Sequence, residues 1–272
     1  MNIVVAIKQV PEISNVQVNP ETGTLIRQGV SSILNPFCEY ALDHAVRLKA
    51  LCPDIRITTV SMGPPQARSA LMRTLELGAD RAVLVCDRKF AGADTWVTAL
   101  TLAEAIRCTV PDFHLIFVGK QAIDGDTAQV GPEMAEILHL PQISYGTACE
   151  ITGNNKKIRV QRETESGYQI LETRLPALVS FSKGENIRRA PSFADILSSR
   201  KKPIDLIRAQ DLNIADQELG LSGSFTQVVK IFPPLLKENG PLLSGLSPQE
   251  TTATIIKLLN TIDVLEKKEG SL

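Results

Sequence analysis

The sequence predicts an α/β protein, in which a parallel sheet covered by helices on both faces precedes an antiparallel β segment and an extended C-terminal arm. Three observations support this fold class. Short β-branched runs alternate with longer helical ones from residue 3 to about residue 140, the pattern changes to period two after Pro141, and the core pattern weakens after Lys183. We therefore expect an α/β domain at residues 1–185, including the antiparallel segment, and an arm with one helix at residues 186–272.

The parallel strands are predicted from apolar runs rich in valine and isoleucine, as in strands buried on both faces. These runs lie at residues 3–10, 56–62, 81–86 and 114–119. Helical stretches lie between them at residues 37–51, 64–77 and 94–106. Gly78 can adopt the left-handed conformation that ends a helix. The polar stretch 16–27, with Asn-Pro-Glu-Thr-Gly at its centre, predicts a surface hairpin in the first crossover.

The second half of the chain predicts a different arrangement. Period-two runs at residues 143–151, 157–163, 168–171 and 177–181 predict antiparallel strands, with turns at Asn154-Asn155 and Ser166-Gly167. The arm that follows carries basic clusters, prolines and glycines, and one helical pattern at residues 249–265. Such an arm buries too little apolar area to offset its ordering entropy, so we expect it to lie on a partner subunit.

Composition excludes several functional classes. The 29 lysines and arginines nearly balance 30 acidic residues, so no overall positive field would hold a nucleic acid. The five scattered cysteines form no C-x-x-C pair, which favours reduced and mostly buried thiols. Without a basic leader or a window of 18 uninterrupted apolar residues, we expect a cytoplasmic protein that does not insert into a membrane.

The loop after the strand at residues 114–119 is the candidate binding segment. A helix is predicted to begin near Thr127, with Asp126 or Thr127 as its cap and Gln129 completing a capping box. A strand, a loop and a helix start together form the crevice where parallel sheets bind ligands, and the first helical N–H groups favour phosphate. An ordinary capped helix has the same pattern, so the residues alone are compatible both with a phosphate site and with a simple helix cap. An EF-hand, a Walker A loop and a G-x-G-x-x-G fingerprint are all absent from the sequence.

The run from Lys120 to Gln129 resembles the phosphate-binding segment of electron-transferring flavoprotein β subunits. Further similar stretches lie at residues 35–39, 61–64, 78–81 and 160–179, and about the first 210 residues align in order. The resemblance implies a Rossmann-like, adenine-nucleotide α-hydrolase-like fold. It also implies that the following residues surround an adenine nucleotide: Ala6, Asn35, Pro36, Phe37, Cys38, Met62, Gly63, Gly119, Lys120, Gln121, Ala122, Ile123, Asp124, Gly125, Asp126, Thr127, Ala128, Gln129 and Val130.

The nucleotide differs between branches of that family. Most members hold AMP, whereas electron-bifurcating members hold FAD, whose flavin accepts a hydride from NADH. Residues 88–96, Gly125 with Thr127, and residues 219–224 resemble the bifurcating branch, so we expect FAD, with Phe90, Asp94 and Thr95 at its flavin end. A purely structural reading has Asp94 or Thr95 capping the next helix and Trp96 packing on the sheet, and both readings can hold together.

The resemblance also implies partners: an α subunit in a heterodimer, a flavoprotein dehydrogenase, and ferredoxin, with NAD(H) as a substrate. A catalytic acid or base is not required, and His44, His114 and His139 are interpreted as structural. The dehydrogenase-docking loop corresponds to residues 181–190, where Glu185 replaces an apolar anchor and Lys183, Arg188 and Arg189 lie nearby. These charges indicate a different dehydrogenase, a different docking mode, or only a solvated loop. A non-redox adenine-nucleotide-binding module is the alternative from another class.

Overall fold

The computed structural model describes residues 1–12, 31–184, 190–229 and 244–261, and the backbone of residues 17–18 and 25–26. The chain divides into two compact units, Met1–Ile231 and Phe232–Leu272. The division falls well beyond residue 185, because much of the expected arm packs with the first unit.

The strands, in chain order, are β1 (Asn2–Ala6), β2 (Gln9–Pro11), β3 (Gln17–Val18), β4 (Leu25–Ile26), β5 (Ser32–Leu34), β6 (Arg56–Met62), β7 (Arg81–Val85), β8 (Phe113–Gly119), β9 (Gln142–Thr152), β10 (Lys157–Thr164), β11 (Gly167–Arg174), β12 (Ala177–Phe181) and β13 (Ile204–Ile207). The α-helices are α1 (Pro36–Leu51), α2 (Arg68–Glu76), α3 (Thr95–Thr109), α4 (Val130–Ile137), α5 (Phe193–Ser199), α6 (Gly220–Gly223) and α7 (Pro248–Thr261).

A nine-stranded sheet forms the centre of the first unit, in the order β11-β10-β9-β12-β8-β1-β6-β7-β13. Every pair of neighbouring strands from β9 to β13 in this order is parallel, whereas the pairs β9–β10 and β10–β11 are antiparallel. The predicted α/β fold with a large parallel sheet is therefore confirmed.

Strand β12 corrects the predicted antiparallel segment. It inserts between β8 and β9 and is parallel to both. All five of its residues are buried, as expected for a strand covered on both faces. The local pattern identified the strand but contained no information about its neighbours. The antiparallel part is thus limited to the pairs β9–β10 and β10–β11, and a turn at residues 165–166 joins β10 to β11.

Helices cover both faces of the sheet and build two cores. Helices α1 and α2 pack with one face, in a core that includes Leu42, Leu71 and Phe117. Helices α3 and α4 pack with the other face, where the core includes Leu102 and Met134. The connections leaving β1 and β8 thus lie on opposite faces, which places the topological switch point between these two adjacent strands.

Several predicted boundaries are corrected. Strand β1 ends at Ala6, and the end of the predicted run belongs to a separate strand, β2, which pairs with β5. The second helix begins with a 3₁₀ turn at Pro65–Ala67 before α2. Gly78 has the expected positive φ, at 123°. Strands β3 and β4 form the predicted hairpin, whose central residues lie outside the described part of the chain.

The segment after residue 190 is not simply an extended arm. Strand β13 pairs in parallel with β7 and becomes the ninth strand of the sheet. Ala209, Leu212 and Leu219 are buried in the same core as α3. This segment therefore belongs to the folded domain. In the second unit, α7 begins one residue before its predicted start and is described to Thr261. None of the described helices is long and apolar enough to cross a membrane.

Candidate functional site

The candidate site lies at the carboxyl edge of the sheet, at the switch point between β1 and β8. Ala6, the last residue of β1, is paired with Val60 of β6 and Val118 of β8. The loop after β8 and the start of α1 therefore meet at this edge. Ligands of doubly wound sheets bind in such a crevice.

Gly119 allows the two segments to approach each other. A Cβ atom at this position would lie 2.7 Å from the carbonyl carbon of Phe37 and 2.8 Å from the backbone nitrogen of Cys38. Both are backbone atoms that cannot rotate away. The end of β8 and the start of α1, predicted from the resemblance to share a site, are thus in direct contact.

Asn35 holds the loop after β8 in place. Its side chain is buried, its Nδ2 donates to the carbonyl oxygen of Gln121 at 2.8 Å, and its Oδ1 accepts the Ile123 N–H at 3.2 Å. A buried amide satisfied in this way stabilises one loop conformation. The side-chain hydrogen bonds of Asn35 position Gln121 and Ile123, and the prediction that Asn35 contacts a ligand stays a prediction.

An ion pair provides a second connection to the loop. Lys8, two residues beyond β1, donates to both carboxylate oxygens of Asp124, at 2.7 and 2.9 Å. Both side chains are partly exposed, so the pair contributes little stability. It does fix the loop over the end of β1. Lys8 was missed from the sequence, although its place just beyond a parallel strand could have suggested it.

The predicted helix cap is wrong. Helix α4 begins at Val130, and Gln129 occupies the cap position without a side-chain hydrogen bond. Asp126 accepts a hydrogen bond from the Gln121 side chain instead of capping the helix. Asp126 and Ala128 both have a φ of 56°, a left-handed conformation that cannot continue a right-handed helix.

These left-handed residues give the loop a backbone geometry that differs from a capped helix. Ala128 is followed by Gln129 in the right-handed region, with φ −95° and ψ −36°. In proteins generally, successive residues of opposite hand turn their N–H groups towards one point, an arrangement called a nest that suits phosphate oxygens. Each left-handed non-glycine residue costs about 1 to 3 kcal/mol, and such strain concentrates at functional sites. We call residues 119–130 the cradle.

Two cradle side chains are available to a ligand. Thr127 and Gln129 are exposed. Across the described ranges, neither side chain makes a hydrogen bond with the protein. The remaining predicted cradle residues are exposed or partly buried at the same edge. Met62 ends β6 at the same edge of the sheet, and the N–H of Gly63, the next residue, donates to the Val85 carbonyl at 3.1 Å.

The 88–95 loop is held by protein contacts. Phe90 is buried in the core, and Asp94 caps α3 by accepting the Val97 N–H at 3.1 Å. The predicted capping role of Asp94 is therefore confirmed. Asp94 also accepts the N–H and hydroxyl of Thr226, at 3.0 and 3.1 Å. The prediction that Phe90, Asp94 and Thr95 contact a flavin stays a prediction.

The segment around residues 219–226 packs on this loop. Leu221 N–H donates to the Ala91 carbonyl at 3.1 Å, and Asp94 N–H donates to Ser224 Oγ at 2.9 Å. The centroid of the Trp96 ring lies 6.0 Å from that of the Phe225 ring, and the expected packing of Trp96 on the sheet stays a prediction. The sequence resemblance marked residues 219–224 without indicating this contact with the loop.

The thiols and imidazoles near the site have structural environments. Burial raises the pKa of Cys38, although a hydrogen bond from Asn35 opposes the shift. Burial and, to a smaller extent, the charge of Arg47 lower the pKa of His44 to about 4. The His44 ring stacks on Phe181 at 4.2 Å. Neutral buried groups of this kind agree with the structural interpretation. The cysteines are all free, but Cys108 is exposed, contrary to the general expectation of burial.

A metal site and a second ligand cavity are the other candidates to consider among the described residues. Among the described residues, no group of three or more potential ligands could hold a metal ion. A cavity of about 290 Å³ between α1 and α2 contains no predicted site residue. In the predicted docking loop, Lys183 is exposed, whereas Glu185, Arg188 and Arg189 lie outside the described residues.

The doubly wound sheet with a crevice at its switch point defines an α/β protein of the Rossmann-like class. Residues 22–212 match the family model described as "Electron transfer flavoprotein domain". The chain therefore belongs to the electron transfer flavoprotein family, within its β-subunit group.

Three relatives illustrate this membership. The electron transfer flavoprotein subunit beta of Thermoanaerobacterium thermosaccharolyticum is 43% identical, covering 97% of this chain and 100% of the relative. The caffeyl-CoA reductase-Etf complex subunit CarD of Acetobacterium woodii is 40% identical over 95% and 98% of the two chains. Protein FixA of Azorhizobium caulinodans is 41% identical over 86% and 85%.

Proposed function

We propose that this chain pairs with an α subunit and exchanges electrons with NAD(H), passing them to a flavoprotein dehydrogenase and ferredoxin by electron bifurcation or its reverse. The observation that carries this proposal is the 40% identity with CarD over nearly the whole of both chains. The name of that relative places it in a complex of caffeyl-CoA reductase with an electron transfer flavoprotein.

FAD is the proposed ligand of the cradle, with AMP as the alternative in the same pocket. The nest at Ala128 and Gln129 supplies backbone donors for phosphate, and the exposed side chains of Thr127 and Gln129 supply further polar groups. These features fit a nucleotide phosphate of either cofactor. The 88–95 loop, at the same edge, is the proposed place of the flavin end.

The protein binds and orients the cofactor rather than performing acid–base chemistry. A bound flavin supplies hydride and one-electron transfer. Asn35 fixes the backbone at Gln121 and Ile123, and the Lys8–Asp124 pair fixes the next part of the loop. These contacts preorganise the phosphate-binding backbone before the cofactor arrives, which lowers the entropy cost of binding.

Lys183, Glu185, Arg188 and Arg189 are proposed to dock the dehydrogenase. A charged surface steers association and rejects partners with the wrong charge. Replacing Glu185 with leucine should change electron transfer to the native dehydrogenase and leave reduction by NADH unchanged. Equal transfer rates would show that the loop does not dock.

An anaerobic NADH titration of the purified α/β complex tests the electron-transfer role. The complex should show flavin absorbance that bleaches as NADH is added. A complex with flavin absorbance that NADH does not bleach would contradict the exchange with NAD(H). A complex without flavin would support the non-redox nucleotide-binding module, a reading that family membership disfavours.

The cradle contacts are tested by replacing both available side chains. Thr127→Ala combined with Gln129→Ala should lower the FAD content of the complex from about two towards one per heterodimer, because phosphate contacts are lost. Released flavin is measured by absorbance and fluorescence. Gln169→Ala with Thr173→Ala on the edge strand β11 provides a matched control. Unchanged stoichiometry in the cradle variant would remove these two side chains from the site.

A further inference from the structure

The starts of helices α3 and α4 are joined by one side-chain hydrogen bond. Thr95, the first residue of α3, donates its hydroxyl to Oε1 of Glu133 at 3.0 Å. Glu133 lies in the first turn of α4, immediately after the cradle. This bond therefore connects the helix that follows the nest with the helix that follows the 88–95 loop.

The carboxyl group of Glu133 has fewer hydrogen-bond partners than a buried carboxyl group needs. Its second oxygen, Oε2, is buried and has no hydrogen-bond partner in the described part of the molecule. Burial raises the pKa of Glu133, the hydrogen bond from Thr95 opposes the shift only in part, and the charge on Asp94 adds to it. An unpartnered buried polar atom costs on the order of 1 to 3 kcal/mol. Packing alone therefore does not account for a glutamate at this position.

Asp94, the neighbouring carboxyl group, has the opposite environment. Burial alone would raise the pKa of Asp94, but hydrogen bonds from Val97, Thr226 and Phe225 outweigh it and hold the pKa below its ordinary value. The pKa values of these two adjacent carboxyl groups are thus shifted in opposite directions: the pKa of Asp94 is lowered, and the pKa of Glu133 is raised.

We infer that Glu133 is a positioning residue for the nucleotide, because its hydrogen bond with Thr95 fixes the start of α4, and with it the nest at Ala128 and Gln129, against the start of α3. This inference rests on the proposed function, which takes the cradle as the phosphate site. Glu133 acts through the backbone of α4, so the role requires no contact between its carboxyl group and the ligand.

A series of contacts also links the segment around Thr226 to helix α4. Thr226 contacts Asp94, Asp94 precedes Thr95, and Thr95 contacts Glu133. These contacts connect residues 224–226 with the 88–95 loop, and that loop with helix α4, which follows the cradle. Breaking the Thr95–Glu133 bond should loosen the cradle while leaving the Asp94 cap of α3 in place.

The test measures FAD dissociation from the intact α/β complex. Glu133→Leu and Thr95→Val each remove the hydrogen bond and should speed loss of FAD from this subunit about tenfold, as expected for one hydrogen bond of roughly 1.4 kcal/mol. Glu133→Gln keeps an acceptor of the same shape and should stay within about twofold of the unmodified complex. Glu136→Leu, at an exposed position on the same helix, is the control.

Several outcomes decide the inference. It is supported if combining Glu133→Leu with Thr95→Val adds no further loss, because both changes break one bond. It is overturned if Glu133→Leu and Thr95→Val keep the original dissociation rate, or if Glu133→Gln loses FAD as fast as Glu133→Leu. If Glu133→Leu fails to assemble with the α subunit, Glu133→Ala takes its place, because Thr95 is itself predicted to contact the flavin.

Failure of the proposed function is distinguishable from failure of this inference. An unmodified complex that holds AMP in this subunit would contradict the FAD assignment, and the same variants would then be compared by AMP release. In that case faster AMP release from Glu133→Leu and Thr95→Val, but not from Glu133→Gln, would still support the positioning role.

Discussion

At the scale of single residues, Gly119 is the position where the site depends most on the absence of a side chain. Gly119→Ala would press a methyl group against the backbone of Phe37 and Cys38. We expect the free energy of unfolding to fall by about 1 to 3 kcal/mol, the usual cost of overpacking. Chemical denaturation measures this change. Gly125→Ala is the control, because no atom lies within 4 Å of the added carbon. Equal stability of both variants would disprove the close approach.

His44 should make stability depend on pH. The pKa of His44 is about 4 in the folded protein and has its ordinary value of 6.5 in the unfolded chain. The unfolded chain therefore binds a proton at a higher pH than the folded protein does. Stability is therefore lost between about pH 6.5 and pH 4, by about 3 kcal/mol in total. Denaturation curves across this range measure the loss. His44→Gln should flatten this part of the profile, and an unchanged profile would assign the pH dependence to other groups.

The sequence predicts the cradle residues better than their conformation. The segment from Gly119 to Val130 lies where the pattern placed it, beyond a parallel strand at the carboxyl edge. The handedness of Asp126 and Ala128 was not predictable, because alanine normally favours a right-handed helix. The loop is instead held by distant groups, Asn35 and Lys8, which local patterns do not connect with it.

At the scale of secondary-structure elements, the segment after β13 belongs to the core of the first unit. Leu219 is 2% exposed, whereas Leu221 is 49% exposed. We expect Leu219→Ala to lower the free energy of unfolding by about 2 to 5 kcal/mol, because it leaves a cavity. Leu221→Ala should cost less than about 1 kcal/mol. Urea denaturation of the β chain measures both. A small effect at Leu219 would indicate that this segment packs only on a partner.

Some elements were predictable because their apolar runs are long and bounded by clear signals. Strand β6 has its predicted boundaries, and α1 and α3 differ from theirs by at most three residues. Strand β13 was missed because its four residues, Ile-Asp-Leu-Ile, lie next to a basic cluster and are only partly buried or exposed. Strand β12 was found, but its parallel pairing depends on the global topology.

At the scale of the whole molecule, the fold determines where a cofactor can bind. The crossovers place α1 and α2 on one face and α3 and α4 on the other, so the crevice opens between β1 and β8. The unit Phe232–Leu272 lies beyond this sheet in sequence, and its packing on an α subunit stays a prediction. The described residues of α7 include exposed Ile255, Ile256 and Leu258, a surface of the kind that a partner would cover.

The cofactor count of the co-purified α/β complex tests the central proposal most directly. The nucleotides are released by denaturation, separated by chromatography, and quantified against the protein concentration. We predict two FAD and no AMP for each heterodimer, with one FAD bound by this chain. One FAD and one AMP for each heterodimer would contradict the proposal of a flavin in the cradle and a bifurcating role for this subunit.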